Sequence, residues 1–345
     1  MLIMKVFHLL DQLRNEHYPI LLAAGFFDGM HRGHQRVIQQ AVAESQKGAG
    51  VVWVMTFDTH PMKTLHPEAA PPLLTSTPHK LHLMKQLGVK GCVIIPFTRA
   101  LAQLEPELFI ENLVQSVSTL HSLFIGENWT FGRDGKGTSD LVKSLARAHG
   151  FNVKIIPSVF LEKKPVSSTR IRRNVIAGNL EHAASMLGRP VSIWGTVTSG
   201  KKIGRSIGVP TANLDTHNET FPPNGVYAVH AVLDEKSYTG IVNLGTRPTT
   251  RPHTPQAKSL SPAEKKGSGQ ETTRILELHL FDIQRDLYGK DIEVFFFKKL
   301  RDERRFDSLA ILKTQIAKDI CHARTWLSRH TDDKAWGCGS VRVRG

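Results

Sequence analysis

GFFDGMHRGH, residues 25–34, is the stretch that decides how this chain folds. Apolar LLAAG leads into it at residues 21–25, and RVIQQAVAES follows at residues 36–45. The first reads as a buried strand. The second reads as a helix, with apolar residues at helical spacing. Between them lies a glycine-rich strand-to-helix turn, which brings backbone N–H groups and a helix N-terminus up to a phosphate. His31 and His34 stand at that mouth and can donate hydrogen bonds to phosphoryl oxygens without acting as nucleophiles. Phosphoryl and nucleotidyl transfer gain most from positioning and charge stabilisation. Taken alone, an HxxH pair also reads as a structural histidine pair or as half of a metal site. The strand before it and the helix after it favour the phosphate reading.

Working outward, strands and helices alternate up to about residue 160. VVWVMTFD (51–58), GCVIIPF (91–97), HSLFIGENW (121–129) and NVKIIPS (152–158) read as strands. HKLHLMKQLGV (79–89), PELFIENLVQSV (106–117) and DLVKSLARAHG (140–150) read as helices, the last closed by Gly150. The N-terminal residues read as a first strand and helix. Such alternation implies a parallel, Rossmann-like sheet with helices on both faces. Ligands bind beyond the C-terminal strand ends of such sheets. His31, His34 and the residues after Phe57 and Ile125 all fall there.

From about Gly188 the texture changes. VSIWGTVTSG (191–200), GVYAVHAVLD (225–234), SYTGIVNLG (237–245), ILELHLFD (275–282) and IEVFFFKKL (292–300) are short β-rich runs broken by Gly and Pro. They imply an antiparallel sheet or small barrel. SLAILKTQIAKDICHARTWL (308–327) reads as one amphipathic helix. The expected division is therefore residues 1–187, residues 188–330, and a flexible tail at 331–345. The polar stretch 251–273 reads as an insertion between two strands.

The chain has 345 residues, enough for two domains of ordinary size. No apolar run approaches the roughly 18 residues of a membrane helix, and no signal-peptide pattern opens the chain. Cys92, Cys321 and Cys338 are scattered and odd in number, which argues against a disulfide framework and suits a reducing cytosol. The net charge of +14 invites comparison with nucleic-acid binders. Yet the basic residues are spread through both halves without interleaved aromatics or a reader motif, and most of the excess reads as solvated surface. The expected partners are small molecules, with no nucleic acid and no membrane; a weak homo-oligomer is compatible with the sequence, which does not fix the oligomeric state.

The motifs, in order, resemble the bacterial bifunctional riboflavin kinase/FAD synthetase family over the chain to about Leu327. In the first half they are GFFDGMHRGH, TFDTHP (56–61), IGENWTFGRDGKG (125–137) and VSSTRIR (166–172). In the second they are GRSIGVPTANL (204–214), PPNGVYAV, IVNLGTRPT, LELHLFD, DLYGK and KLRDERRF. The resemblance implies a nucleotidyltransferase-type α/β domain followed by a flavokinase β-barrel with a C-terminal helix. It implies phosphorylation of riboflavin by ATP to FMN, then adenylylation of FMN to FAD with release of pyrophosphate. Mg²⁺ is the implied metal, and a cytoplasmic location fits.

For the adenylyltransferase, the resemblance implies ATP contacts at Gly25, Phe27, Asp28, Gly29, His31, His34, Ser168, Thr169 and Arg172. The hydroxyls of Ser167, Ser168 and Thr169 suit a helix N-cap, and RIRRNVIAGNLEHAASMLG (170–188) reads as the helix after it. By themselves these residues also read as an ordinary capped helix. Flavin contacts are expected at Phe57, His60, Pro61, Asn128 and Trp129. Asn128 replaces a common Asp and Thr59 a common Pro, so Asn128 binds and cannot act as a base. Gly126, Gly132 and Gly137 are read as allowing close approach to a ligand.

For the kinase, ATP contacts are expected at Gly200, Gly204, Arg205, Gly208, Pro210, Thr211 and Asn213, with Thr211 and Asn213 also toward the metal. Flavin contacts are expected at Asn243, Arg301 and Phe306. Glu277 is the best candidate for the general base, on the strand face opposite Leu276, Leu278 and Leu280; by itself it also reads as a solvent-facing strand carboxylate, and the resemblance implies the catalytic role. Rival readings are a nucleotidyltransferase for another substrate with a regulatory barrel, a chain with one dead half, and a basic RNA-binding barrel. PTAN together with LELHLFD argues against the first. Competent residues at both sets of signature positions argue against the second.

Overall fold

In a computed structural model the chain is described over residues 4–198, 209–248, 272–283 and 285–330. It divides into two units. The first comprises Met1–Pro190 with Asn218–Phe221, and the second comprises Val191–His217 with Pro222–Gly345.

The first unit is built on six strands: β1 (Lys5–Phe7), β2 (Ile20–Ala24), β3 (Val51–Phe57), β4 (Gly91–Ile95), β5 (Leu120–Gly126) and β6 (Asn152–Ile156). They form one sheet in the order β1-β4-β3-β2-β5-β6, every neighbour parallel. Its helices are α1 (Arg32–Ser45), α2 (Pro61–Leu65), α3 (Thr77–Gln86), α4 (Arg99–Ala102), α5 (Pro106–Ser116) and α6 (Ser139–His149). A short hairpin, β7 (Phe160–Leu161) and β8 (Lys164–Pro165), precedes α7 (Ser168–Ala177) and α8 (Leu180–Leu187).

Strand β2 is buried throughout. Ile20, Leu22 and Ala24 point into the layer with Phe109, Ile110 and Leu113 of α5 and Val142 of α6. Leu21 and Ala23 point into the layer with Val37, Ile38 and Ala41 of α1 and Leu83 and Met84 of α3. A strand covered on both faces needs apolar side chains at every position, hence the unbroken run in the sequence. Each fully buried Leu or Ile there is worth about 1.5–3 kcal/mol. The chain runs from β2 outward to β3 and β4, then returns to β5 on the opposite side. The strand order therefore reverses between β2 and β5, and sheets of this kind bind ligands beyond the strand ends at such a point.

Two local readings change. Residues 170–188 form two helices: Gly178 adopts φ +82 and closes α7, and the Asn179 N–H reaches back to the Asn174 carbonyl. That left-handed cap is a common helix stop. The N-terminal helix is a 3-10 segment over Leu10–Asn15.

The second unit is a closed antiparallel barrel in the order β10-β13-β12-β11-β14-β9. Its strands are β9 (Val191–Thr198), β10 (Ala212–Thr216), β11 (Gly225–Leu233), β12 (Lys236–Pro248), β13 (Thr272–Leu280) and β14 (Asp291–Arg301), and α9 (Leu309–His330) follows. Leu276, Leu278 and Leu280 are buried on one face of β13. On the barrel's outer face Val226, Ala228, Ile241 and Phe281 pack with Ala323 and Leu327 of α9. Strand β13 starts at Thr272, inside the stretch read as an insertion. The rest of that insertion and the tail 331–345 lie outside the described residues.

Candidate functional site

The turn after β2 is an overdetermined piece of backbone. Phe27, Gly29 and Met30 all take positive φ, at +56, +79 and +43. For the two non-glycine residues this is a strained conformation that persists only where neighbours enforce it. A Cβ on Gly29 would meet Leu74 at 2.8 Å. The polar groups of the turn are held on every side. Thr56 Oγ1 donates to the Phe26 carbonyl at 2.9 Å, and Ser168 Oγ donates to the Asp28 carbonyl at 2.9 Å. The Gly29 N–H donates to Thr75 Oγ1 at 2.9 Å. Arg189 donates to the Gly29 and Met30 carbonyls at 3.0 and 3.2 Å, and Gln35 Nε2 to the Met30 carbonyl at 2.7 Å.

This frame presents two stacked imidazoles at the N-terminus of α1. The rings of His31 and His34 lie 3.5 Å apart at 19°. His31 caps the helix, its Nδ1 accepting the His34 N–H at 3.4 Å. That bond fixes the His31 proton on Nε2, a free donor. His34 Nδ1 is buried without a hydrogen-bond partner, and its ring meets Phe27 edge-on. Burial, and then the Arg189 charge, draw the His31 pKa down to about 4. Burial, then His31 and Lys80, push His34 well below its ordinary value. Both rings are neutral at physiological pH. The local positive charge comes from the lysine and arginine behind them.

The serine-threonine-arginine segment comes to the same turn. Ser167 is the N-cap of α7, Ser168 begins the helix, and Thr169 is exposed. Arg172 is buried and pairs with Asp28 at 3.0 Å, while its Nε donates to the Pro72 carbonyl at 2.6 Å. Asp28 also accepts the N–H groups of Leu74 and Thr75 at 3.0 Å. Phe27 and Asp28, expected among the ATP contacts, are each 2% exposed with side chains turned into the protein. Both brace the turn: the Phe27 ring lies against His34 and Gly25, and the Asp28 carboxylate ties three segments together.

The expected flavin residues end the neighbouring strands. Phe57 closes β3 and packs edge-on to Phe97. His60 caps α2, accepting the Met62 N–H at Nδ1, with Pro61 as the first helical residue. An edge contact between Phe26 and His60 joins this group to the turn. Past β5, across the switch point, Asn128 is exposed and donates to Ser158, and half-buried Trp129 stacks on Phe131. Of the glycines read as ligand-facing, Gly137 makes room for the Phe131 ring and Gly132 for Pro106, while Gly126 alone borders open space.

Lys80 was not legible as a site residue. It lies on the buried face of α3 with Leu83 and Met84, 2% exposed. Its ammonium donates to the carbonyls of Phe57 at 3.0 Å and Phe26 at 3.5 Å, and sits 4.6 Å from the Phe26 ring centre. It thus ties the ends of β2 and β3. Burial lowers its pKa to about 8, against the opposing pull of Asp28, Cys92 and Asp58. The only signal in the sequence is a charged residue on the apolar side of a helix. Arg189 left no signal at all.

In the barrel, register does what local sequence cannot. Glu277 on β13 stands opposite Asn213 on β10 and opposite Asn243 on β12. Asn243 stands opposite Val226 on β11, which stands opposite Arg301 on β14. Residues from five segments therefore form one row across five strands, with about 5 Å between neighbouring strands. His279 Nδ1 donates to the Pro210 carbonyl at 2.8 Å, joining the PTAN segment to the strand of Glu277. Arg301 is held by Asp319 of α9 at 2.9 Å and lies 5.5 Å from the Phe306 ring. Thr211 is exposed just ahead of β10. Gly200, Gly204, Arg205 and Gly208 lie outside the described residues.

The two halves match two family models: FAD synthetase over residues 13–170 and riboflavin kinase over residues 187–327. A bifunctional riboflavin kinase/FMN adenylyltransferase from Escherichia coli (strain K12) is 35% identical over 305 residues, covering 88% of this chain and 91% of the relative. One from Bacillus subtilis (strain 168) is 32% identical over 318 residues, covering 92% and 95%. A crystal structure described as a macrolide-efflux protein from Streptococcus pneumoniae superposes with a TM-score of 0.70 at 28% identity, covering 89% of this chain and 95% of that one. Among the described residues no helix of this chain is long and apolar enough to cross a membrane.

Proposed function

From a chain that belongs to the bifunctional riboflavin kinase/FMN adenylyltransferase family, and so makes both FMN and FAD, we propose how its two units divide the chemistry. In the first unit the FMN phosphate attacks the α-phosphorus of ATP and pyrophosphate leaves. The attacking phosphate is already a nucleophile, so no base is required. His34 and His31 donate neutral N–H groups to the reacting phosphates at the N-terminus of α1. The observation that carries this reading is the buried, unpartnered Nδ1 of His34 at that helix end. Lys80 supplies fixed positive charge. Phe57, His60, Pro61, Asn128 and Trp129 receive the flavin.

In the second unit Glu277 takes the proton of the riboflavin 5′-hydroxyl as the γ-phosphoryl group moves. Asn243, Arg301 and Phe306 hold the flavin. Pro210, Thr211 and Asn213 face ATP. Thr211 and Asn213 offer neutral oxygens, with Asn213 in register beside the Glu277 carboxylate. So sparse an oxygen set fits Mg²⁺, which keeps phosphate and water ligands. When bound, Mg²⁺ neutralises charge on the transferring phosphates. The free thiols Cys92 and Cys321 suit a cytoplasmic setting.

The direct test is chromatographic. Purified protein with riboflavin, ATP and Mg²⁺ is expected to yield FMN first and FAD after it. FMN alone would count against the first site, with Asn128 and Thr59 the first residues to restore. FAD only when FMN is supplied would count against the second.

Lys80 makes a sharper prediction. Lys80→Met should lower FAD formation roughly 10–100-fold and leave FMN formation unchanged. The pKa near 8 means the ammonium is lost as pH rises through that value, so FAD formation should decline there. Lys80→Arg should remove that alkaline limb. The charged form opposes folding below that pH, so Lys80→Met should lose activity without a matching fall in Tm. An unchanged pH profile in Lys80→Arg would sink the assignment.

A further inference from the structure

Residues 218–221 lie in the stretch that matches riboflavin kinase, between strands β10 and β11, yet they belong to the first unit. They form a strap along residues 72–74. The Glu219 and Thr220 N–H groups donate to the Leu73 carbonyl at 3.2 and 3.0 Å. The Glu219 carboxylate accepts the Leu73 N–H at 2.8 Å and pairs with Lys63 of α2. Asn218 Nδ2 donates to the Leu74 carbonyl at 2.7 Å, and Thr220 Oγ1 to the Pro72 carbonyl at 3.1 Å.

The partners of the strap are the partners of the phosphate turn. Pro72, whose carbonyl takes Thr220, also takes Arg172 Nε. Leu74, whose carbonyl takes Asn218, gives its N–H to Asp28. Residues 72–75 are thus held from one side by Asp28 and Arg172 and from the other by the strap. Lys63, held by Glu219, lies in the same short helix that His60 caps. The segment keeps these bonds although Asn218 Oδ1 is left buried without a partner. Residues that merely cross a surface have no reason to tolerate that.

We infer that Asn218, Glu219 and Thr220 are positioning residues for FMN adenylylation, although they are encoded within the kinase half. The inference rests on the reading that places adenylyl transfer at the turn of His31 and His34. The strap acts through Asp28 and Arg172: it fixes where the turn holds its donors, and small misplacements of such donors cost rate.

The experiment uses the full chain carrying Asn218→Ala with Glu219→Ala, assayed separately for FMN formation from riboflavin and for FAD formation from FMN. His34→Ala is run alongside. Expected is a fall of about tenfold in kcat for FAD formation, smaller changes in KM, and FMN formation unchanged. Glu219→Gln keeps an acceptor for the Leu73 N–H and should recover most of what Glu219→Ala loses, a rescue that a general weakening of the fold would not show. Should the double variant not fold, Glu219→Ala against Glu219→Gln decides the matter alone. If His34→Ala abolishes FAD formation while the strap variants match the parent, the strap has no such role. An equal fall in both activities would also overturn it. If His34→Ala itself is active, the site assignment has failed and not the strap.

Discussion

His34→Ala is expected to stop FAD formation from FMN while leaving phosphorylation of riboflavin intact. The substitution removes a buried ring nitrogen with no hydrogen-bond partner, together with a ring stacked on His31 and set against Phe27. Loss of one preorganised donor to a developing charge costs about 10²–10³ in kcat. His31→Ala should act in the same direction, with an added loss of stability near 1 kcal/mol because His31 caps α1. Both rings stay neutral, so FAD formation should show no inflection near pH 6.5. The sign for stability follows from the same shifts. The contribution is full above about pH 6.5 and is lost as pH falls toward the His31 value of about 4, because the unfolded chain takes up those protons first. Initial rates from pH 5.5 to 8, read by separating FMN and FAD, check the activities, and Tm measured from pH 4 to 7 checks the stability. An inflection at 6.5 that disappears in His34→Ala would show that the working form is charged.

Glu277→Gln should do the reverse. Riboflavin phosphorylation is expected to fall about 10²–10⁴-fold, while FMN supplied directly is still converted to FAD. The amide keeps the shape of the side chain and its place between Asn213 and Asn243, so the loss reports the proton acceptor and not the strand. Steady-state rates for each half-reaction, measured on one preparation, give the answer. Loss of both activities in a folded variant would contradict the division of labour.

The sequence showed what lies close along the chain. The strand, turn and helix around residues 21–45 were plain from an apolar run, a glycine-rich break and a 3.6-residue repeat, and the motif histidines came with them. What it hid was set at long range. Arg189 reaches the turn across some 160 positions, and Arg172 meets Asp28 across 144. No local pattern marks either contact. Phe27 and Asp28 sit inside the motif and so read as ligand contacts. The fold adds that both side chains are buried and brace the loop from within. Gly178 was visible as a letter. Its helix-ending role was obscured because apolar spacing resumes on its far side. In the barrel the alternation around Glu277 was readable, but the alignment with Asn213, Asn243 and Arg301 depends on register between strands dozens of residues apart.

The strap at Asn218–Phe221 also bears on how the protein is made. The first unit ends in sequence at Pro190, yet its last piece is translated only after two barrel strands have been laid down. At a synthesis rate of about 5–20 residues per second, the nascent adenylyltransferase waits roughly two to six seconds with residues 72–74 unstrapped. Nor can one cut in the gene separate the two enzymes cleanly. A break after residue 190 leaves the first product without its strap, and a break after residue 221 takes β9 and β10 from the barrel. The order of the gene therefore ties the fate of one catalyst to the synthesis of the other.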